Sequence, residues 1–125
     1  MNWEHLDSEA KHEEIVKLSN ERRILILMFS RNSTLNHIIK FTIEREWNPR
    51  EMEMPAFILD PDSHKNIADD FVKNYGVKLY TPQAFIIEKG RCVFSAADGE
   101  IDFKTLRDWA NPKNLIKDGI KTAST

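Results

Sequence analysis

The sequence predicts an α/β fold, a mixed central sheet with helices on both faces, and three observations carry that expectation. Residues 24–29, Ile-Leu-Ile-Leu-Met-Phe, form an unbroken apolar run that stops abruptly at Ser30-Arg31-Asn32-Ser33-Thr34. A run that short, apolar at every position and bounded by charge, reads as a strand covered from both sides. Helical and extended patterns then alternate along the middle of the chain. The last third reads as a two-stranded hairpin followed by a helix. Two parallel βαβ steps closed by such a hairpin put the helices on opposite faces of one sheet.

The elements follow in order. Residues 3–6 read as a short edge strand. Asp7 or Ser8 caps a first helix, with Glu9 in its first turn and an apolar stripe of Ile15 and Leu18, with Ala10 and Val16 nearby. The 24–29 strand follows. Ser33 or Thr34 caps a second helix, in which Leu35, Ile38, Ile39, Thr42, Ile43 and Trp47 recur at helical spacing. Lys40 and Glu44 pair on its other side, and Asn48-Pro49 ends it. After a charged connection over residues 50–53, residues 54–59 form the next strand, with Pro55 near its start. Asp60-Pro61-Asp62-Ser63 is a turn that doubles as a cap. The third helix carries Ile67, Ala68, Phe71, Val72 and Tyr75 on one face and stops at Gly76, a left-handed C′ residue. Residues 77–82 are a loop. Residues 83–88 and 91–96 form the hairpin around Lys89-Gly90. Asp102 caps a final helix with Phe103, Leu106 and Trp109 inward, ended by Asn111-Pro112. One domain over residues 1–112 is expected, with residues 113–125 a loosely ordered tail. This is the element order of the thioredoxin fold.

Composition excludes several function classes. The chain has 125 residues, enough for one core, and its 18 basic and 20 acidic residues leave a net charge of −2. That balance, without a basic run interleaved with aromatics, argues against nucleic acid. No apolar stretch approaches a membrane span, and the N-terminus lacks the order of a signal peptide. No membrane association and a cytoplasmic location are therefore expected. The single cysteine, Cys92, excludes an internal disulfide and a CxxC pair. His5, His12, His37 and His64 lack metal-ligand spacing and read as surface residues. Trp3, Trp47 and Trp109 read as core aromatics at element ends. Asp60 and Asp62 do turn and cap duty. Neither they nor Asp69 and Asp70 match a calcium-loop order, and no metal or cofactor is expected.

Two segments bear on a family. One is the strand end running into a helix, from Phe29 to Asn36. The other is Tyr80-Thr81-Pro82-Gln83-Ala84-Phe85, a proline directly before a hairpin strand. Cis peptide bonds are nearly confined to X–Pro, and Thr81–Pro82 is the plausible site here. With the Trp-led N-terminus, Glu44-Arg45-Glu46-Trp47, the Glu88-Lys89-Gly90-Arg91-Cys92-Val93 hairpin and Ala97-Asp98-Gly99-Glu100-Ile101, the chain resembles the YtxJ-like proteins of the bacillithiol system. The resemblance covers about residues 3–103. It implies a bacterial thioredoxin-like fold with one redox cysteine at the start of the second helix. It also implies a cis-proline facing that cysteine.

The departure from the family is central. The family loop reads Lys-His-Ser-Thr-Arg-Cys, and here it is Ser30-Arg31-Asn32-Ser33-Thr34-Leu35. Leu35 stands where the cysteine would be. The family's His-Glu before the proline segment is Leu79-Tyr80 here, and its later Ser-His is Ala97-Asp98. Leucine cannot form a thiolate or a mixed disulfide. The resemblance thus implies a redox-inactive homologue with no catalytic residue at this site. Such a chain would bind a peptide, a protein or a low-molecular-weight thiol. Arg31, Ser33, Thr34, Leu35, Asn36, Tyr80, Thr81 and Pro82 are the candidate binding residues. Arg31, Ser33, Thr34 and Asn36 fit either an anion pocket at a helix start or an ordinary capped loop. Thr81 offers backbone groups to an extended ligand, or Pro82 merely shapes the loop. The alternative is a bacilliredoxin-like monothiol oxidoreductase using Cys92, which otherwise reads as a small, partly buried or inert thiol.

Overall fold

The computed structural model describes residues 1–48 and 53–110. The elements are β1 (Trp3–His5), α1 (Glu9–Leu18), β2 (Ile24–Met28), α2 (Thr34–Glu46), β3 (Ala56–Leu59), α3 (Lys65–Tyr75), β4 (Gln83–Glu88), β5 (Arg91–Ala97) and α4 (Phe103–Ala110). A short 3₁₀ turn, Asp98–Glu100, follows β5 and was not foreseen from the sequence. The expected ends of α2 and α4 at Pro49 and at Asn111-Pro112, the 50–53 connection and the 113–125 tail involve positions outside the described residues.

The five strands lie in the order β1-β3-β2-β4-β5. β1, β3 and β2 run parallel, and β4 and β5 are antiparallel to their neighbours. β2 is central, and all five of its residues are buried. Strand side chains alternate between faces. Leu25 and Leu27 therefore enter one core with Ile43, Ile86, Leu106 and Trp109, on the α2/α4 side. Ile24, Ile26 and Met28 enter the other core with Ile15, Phe71 and Phe85, on the α1/α3 side. Full burial stabilises by about 1.5–3 kcal/mol per large apolar side chain, so this one strand serves both cores.

Local chemistry sets the element ends. Ser8 caps α1, its side chain accepting from the Lys11 N–H at 3.1 Å. Ser33 caps α2, accepting from the Asn36 N–H at 3.5 Å. Gly76 ends α3 with φ 65° and ψ 34°. The hairpin turn has positive φ at both Lys89 (52°) and Gly90 (72°), the geometry that matches strand twist. That turn is latched onto the end of α1. Lys89 N–H donates to the Ser19 carbonyl at 2.8 Å, and Gly90 N–H to the Ser19 hydroxyl at 2.9 Å.

Two expectations need correction. The Asp60–Ser63 turn does not cap α3, because the Asp60 carboxylate is spent inside the turn. It accepts from Asp62 N–H at 2.9 Å and from Ser63 Oγ at 3.4 Å, and His64 takes the cap position without a side-chain bond. The inward stripe of α2 is Asn36, Ile39, Ile43 and Trp47. Leu35 and Ile38, expected inward, are 47% and 57% exposed.

At the far end of the sheet, buried Arg23 ties β2 to the hairpin and to α4. Its Nε lies 3.1 Å from Glu88, its Nη1 donates to the Trp109 carbonyl at 2.8 Å, and its guanidinium sits 4.7 Å from the Trp109 ring centroid. The Trp109 ring is itself buried.

Candidate functional site

The register places the site. Met28 at the end of β2 pairs with Gln83 at the start of β4. Pro82 therefore stands beside the point where β2 runs into the loop preceding α2. The Thr81–Pro82 peptide bond is cis. The two segments singled out in the sequence thus meet at the carboxyl end of the central strand, where α/β sheets expose their ligand sites.

The loop between β2 and α2 is held from inside. Asn36 is 1% exposed, and its Oδ1 accepts from the Ser30 N–H at 2.9 Å. Its Nδ2 has no acceptor among the described residues, an unanswered donor buried under the start of α2. Ser30 Oγ donates to Asp62, and His37 Nε2 lies 2.7 Å from the Arg31 carbonyl. His37 also meets Phe29 edge to face at 5.0 Å. Arg31 points outward, 68% exposed, with Nε 3.6 Å from the Asp60 carboxylate. The first-turn N–H groups of Thr34 and Leu35 lie too early in α2 to have intrahelical acceptors. A group at Leu35 thus feels the positive end of the helix.

The proline side is built differently. Gln83 is buried, and its Oε1 accepts from the Tyr80 N–H at 2.9 Å, bracing the bend. The Pro82 carbonyl accepts from the Asp98 N–H at 3.0 Å. Pro82 is buried, Thr81 is half-buried and Tyr80 is exposed. An open groove of about 640 Å³ runs from here toward α3, lined by Asn32, Asp62, Lys65, Leu79, Tyr80 and Thr81.

Exposed apolar side chains lie on α2 and just before Pro82. Among the described residues, the large exposed hydrophobic ones are Met1, Leu35, Ile38, Phe41, Leu79 and Tyr80. All but Met1 lie on α2 or just before Pro82. Contiguous exposed apolar surface marks interaction sites in soluble proteins. The sequence missed Asn32, Asp62, Lys65 and Phe41 as contributors. The only available signal for Asp62 was its place just after β3, at the same end of the sheet.

Cys92 lies elsewhere. It pairs with Ile87, four residues along β4 from Gln83, which is about 14 Å at strand rise. A bulge places Cys92 against the α1/α3 core, half-buried, with its thiol donating to the Phe94 carbonyl at 3.3 Å. Burial pushes its pKa up. Nearby, His12 corrects another expectation, because it is half-buried rather than a surface residue. It packs on Phe71 and Tyr75, with Nε2 2.9 Å from the Tyr75 hydroxyl. Burial holds the His12 pKa below its ordinary value, against the opposing pull of Asp70 and Glu13. The Tyr75 hydroxyl is pushed up to about 12, by burial first and by Cys92 second. No group of three metal-ligating side chains occurs among the described residues. Among them, no helix is long and apolar enough to cross a membrane.

The profile of the monothiol bacilliredoxin family, BrxC, matches residues 4–106. The chain belongs to that family. The YtxJ-like resemblance read from the sequence agrees with this. Among solved structures, a thioredoxin-fold protein aligns at 21% identity and TM-score 0.70, covering 82% of this chain and 88% of its own. Fasciola hepatica thioredoxin aligns at 19% identity and TM-score 0.65, covering 84% and 93%. Schistosoma mansoni thioredoxin aligns at 11% identity and TM-score 0.66, covering 85% and 90%. These likenesses establish a thioredoxin fold. No match was found among curated proteins. This bacilliredoxin family member therefore has a thioredoxin fold and carries Leu35 in the first turn of α2.

Proposed function

We propose that this bacilliredoxin family member has lost thiol–disulfide exchange. We further propose that it works as a binding module, taking a peptide, a protein segment or a low-molecular-weight thiol across the Leu35/Pro82 surface. The observation that carries this reading is the half-exposed hydrocarbon of Leu35 in the first turn of α2. A cysteine there would be activated by the helix dipole and the free N–H groups. Leucine keeps the surface and removes the chemistry. Ile38, Phe41, Leu79 and Tyr80 extend the apolar area. The Thr81 backbone and the groove beside it suit an extended chain, which pairs through main-chain groups that need no particular side chain. Asn36 and the first-turn N–H groups favour a carboxylate at the same end.

The alternative, a monothiol oxidoreductase using Cys92, has less support. Its sulfur is half-buried, its pKa is raised, and it lies at the other end of β4 from the proline bend. A thiol so placed is a poor nucleophile at neutral pH.

The test compares the wild-type chain with Cys92→Ser in reduction of insulin and of a bacillithiol mixed disulfide. The expected result is equal, background-level rates for both. Turnover by the wild type above the Cys92→Ser control contradicts the proposal. In parallel, an NMR titration with an extended acidic peptide and with bacillithiol should move the amides of Leu35, Asn36 and Thr81. Silence there for both ligands removes the binding half of the reading.

A further inference from the structure

The ligand surface leaves the outer edge of β5 unused. The sheet ends in two edges of unlike character. β1 is three residues long and carries Glu4, a short charged edge of the kind that discourages pairing. β5 is seven residues long, Arg-Cys-Val-Phe-Ser-Ala-Ala, with no proline or lysine, and its only charge is at its first residue. Its backbone polarity can be read from the ladder. Asp98 N–H bonds the Pro82 carbonyl, so the pair 82/98 is hydrogen-bonded. Alternation makes 84/96 and 86/94 the next bonded pairs. Ser95 and Ala97 therefore direct their N–H and C=O groups away from β4, to the open edge. Ala97 N–H is indeed taken by the Glu100 side chain at 3.3 Å, the only partner the chain's own end supplies there among the described residues. Val93 is the extra residue of the bulge.

We propose that β5 pairs antiparallel with β5 of a second copy, about a two-fold axis at Ser95, to give one sheet continuous across both copies. Charge singles out this occupant. β5 begins with a cation, Arg91, and runs directly into two acids, Asp98 and Glu100. Among the described residues, neither the Arg91 guanidinium nor the Asp98 carboxylate has a partner. An antiparallel two-fold brings Arg91 of each copy level with the Asp98–Glu100 turn of the other, twice, and there the Glu100 carboxylate exchanges the Ala97 N–H for the guanidinium, freeing that N–H for the facing strand. Ser95 N–H then meets the Ser95 carbonyl across the axis, and Val93 faces Ala97. Such an interface is self-complementary, as a two-fold requires. It is also small, so the dimer is reversible and forms at high protein concentration.

Sedimentation equilibrium of the full chain, over a concentration series reaching millimolar, tests this. The wild type should show a monomer–dimer equilibrium. Ser95→Pro removes the N–H on the axis. Among the described residues that N–H has no acceptor, so the variant should be monomeric with an unchanged thermal midpoint. Arg91→Glu should raise the dimer dissociation constant about tenfold or more, and adding Glu100→Lys to it should restore association. A wild type that stays monomeric overturns the proposal. So does a dimer that survives both Ser95→Pro and Arg91→Glu, or one abolished instead by Phe41→Glu. A monomeric chain whose Ser95 amide shifts only on adding an extended peptide also overturns it.

Discussion

Placing a thiol at Leu35 tests whether the start of α2 is an activating environment. In a Cys92→Ser background, Leu35→Cys puts one sulfur in the first turn of a 13-residue helix whose N-cap is Ser33. The position is 47% exposed, so solvent screens the helix field. A dipole contribution of about 0.3–1 kcal/mol at such a site lowers a thiol pKa by about 0.2–0.7 unit. From a free value of about 8.5, the expected pKa is about 7.8–8.3. At pH 7 the thiolate fraction then rises from about 3% to about 5–14%, with a matching gain in alkylation rate. Cys92 in the wild type is displaced the other way, its pKa raised by burial. The assay is iodoacetamide alkylation followed by mass spectrometry across pH 5–10, with a free cysteine peptide as reference. An engineered thiol that titrates at or above the reference refutes the argument that Leu35 occupies an activating position. It would also weaken the inference that leucine there cost the protein its chemistry.

Two further perturbations probe the scaffold. Arg23→Ala leaves Glu88 and the Trp109 carbonyl without their buried cation, and should cost about 3 kcal/mol in urea unfolding; a loss below 1 kcal/mol would show that the clasp between β2, β4 and α4 is dispensable. His12 has a folded pKa below its unfolded 6.5, so the unfolded chain binds more protons in that range. Stability should therefore be complete at pH 7.5 and fall as pH drops from about 6.5 toward the lower folded value. His12→Gln should flatten this dependence, and an unchanged pH profile of the thermal midpoint would refute the assignment.

Much of the architecture was legible because it rests on short-range rules. The 24–29 run announced a doubly covered strand, and Ile24–Met28 is completely buried. Gly76 announced a helix end and has left-handed φ and ψ. Lys89-Gly90 announced a two-residue turn, although lysine is an uncommon choice there. The α2 stripe misled because its apolar residues outnumber the positions that face the sheet. Leu35, Ile38 and Phe41 satisfy helical spacing as well as Ile39 and Ile43 do. Only the crossing of α2 over the sheet decides which set is inside. Asn36, a polar residue, takes an inward place because the Ser30 N–H needs its carbonyl oxygen.

The sequence by itself determined the fold class and the family, since element order and residue identity are one-dimensional facts. The tertiary structure decided the rest. It brought Pro82 beside the end of β2 through the Met28–Gln83 register, left Leu35 half-exposed, and carried Cys92 to the other end of the hairpin. It gave His12 a tyrosine partner 63 positions away. The physical reason is the same in each case. Side-chain periodicity fixes which residues share a face, but burial, pKa and proximity are set by what packs against that face, and those neighbours come from distant parts of the chain.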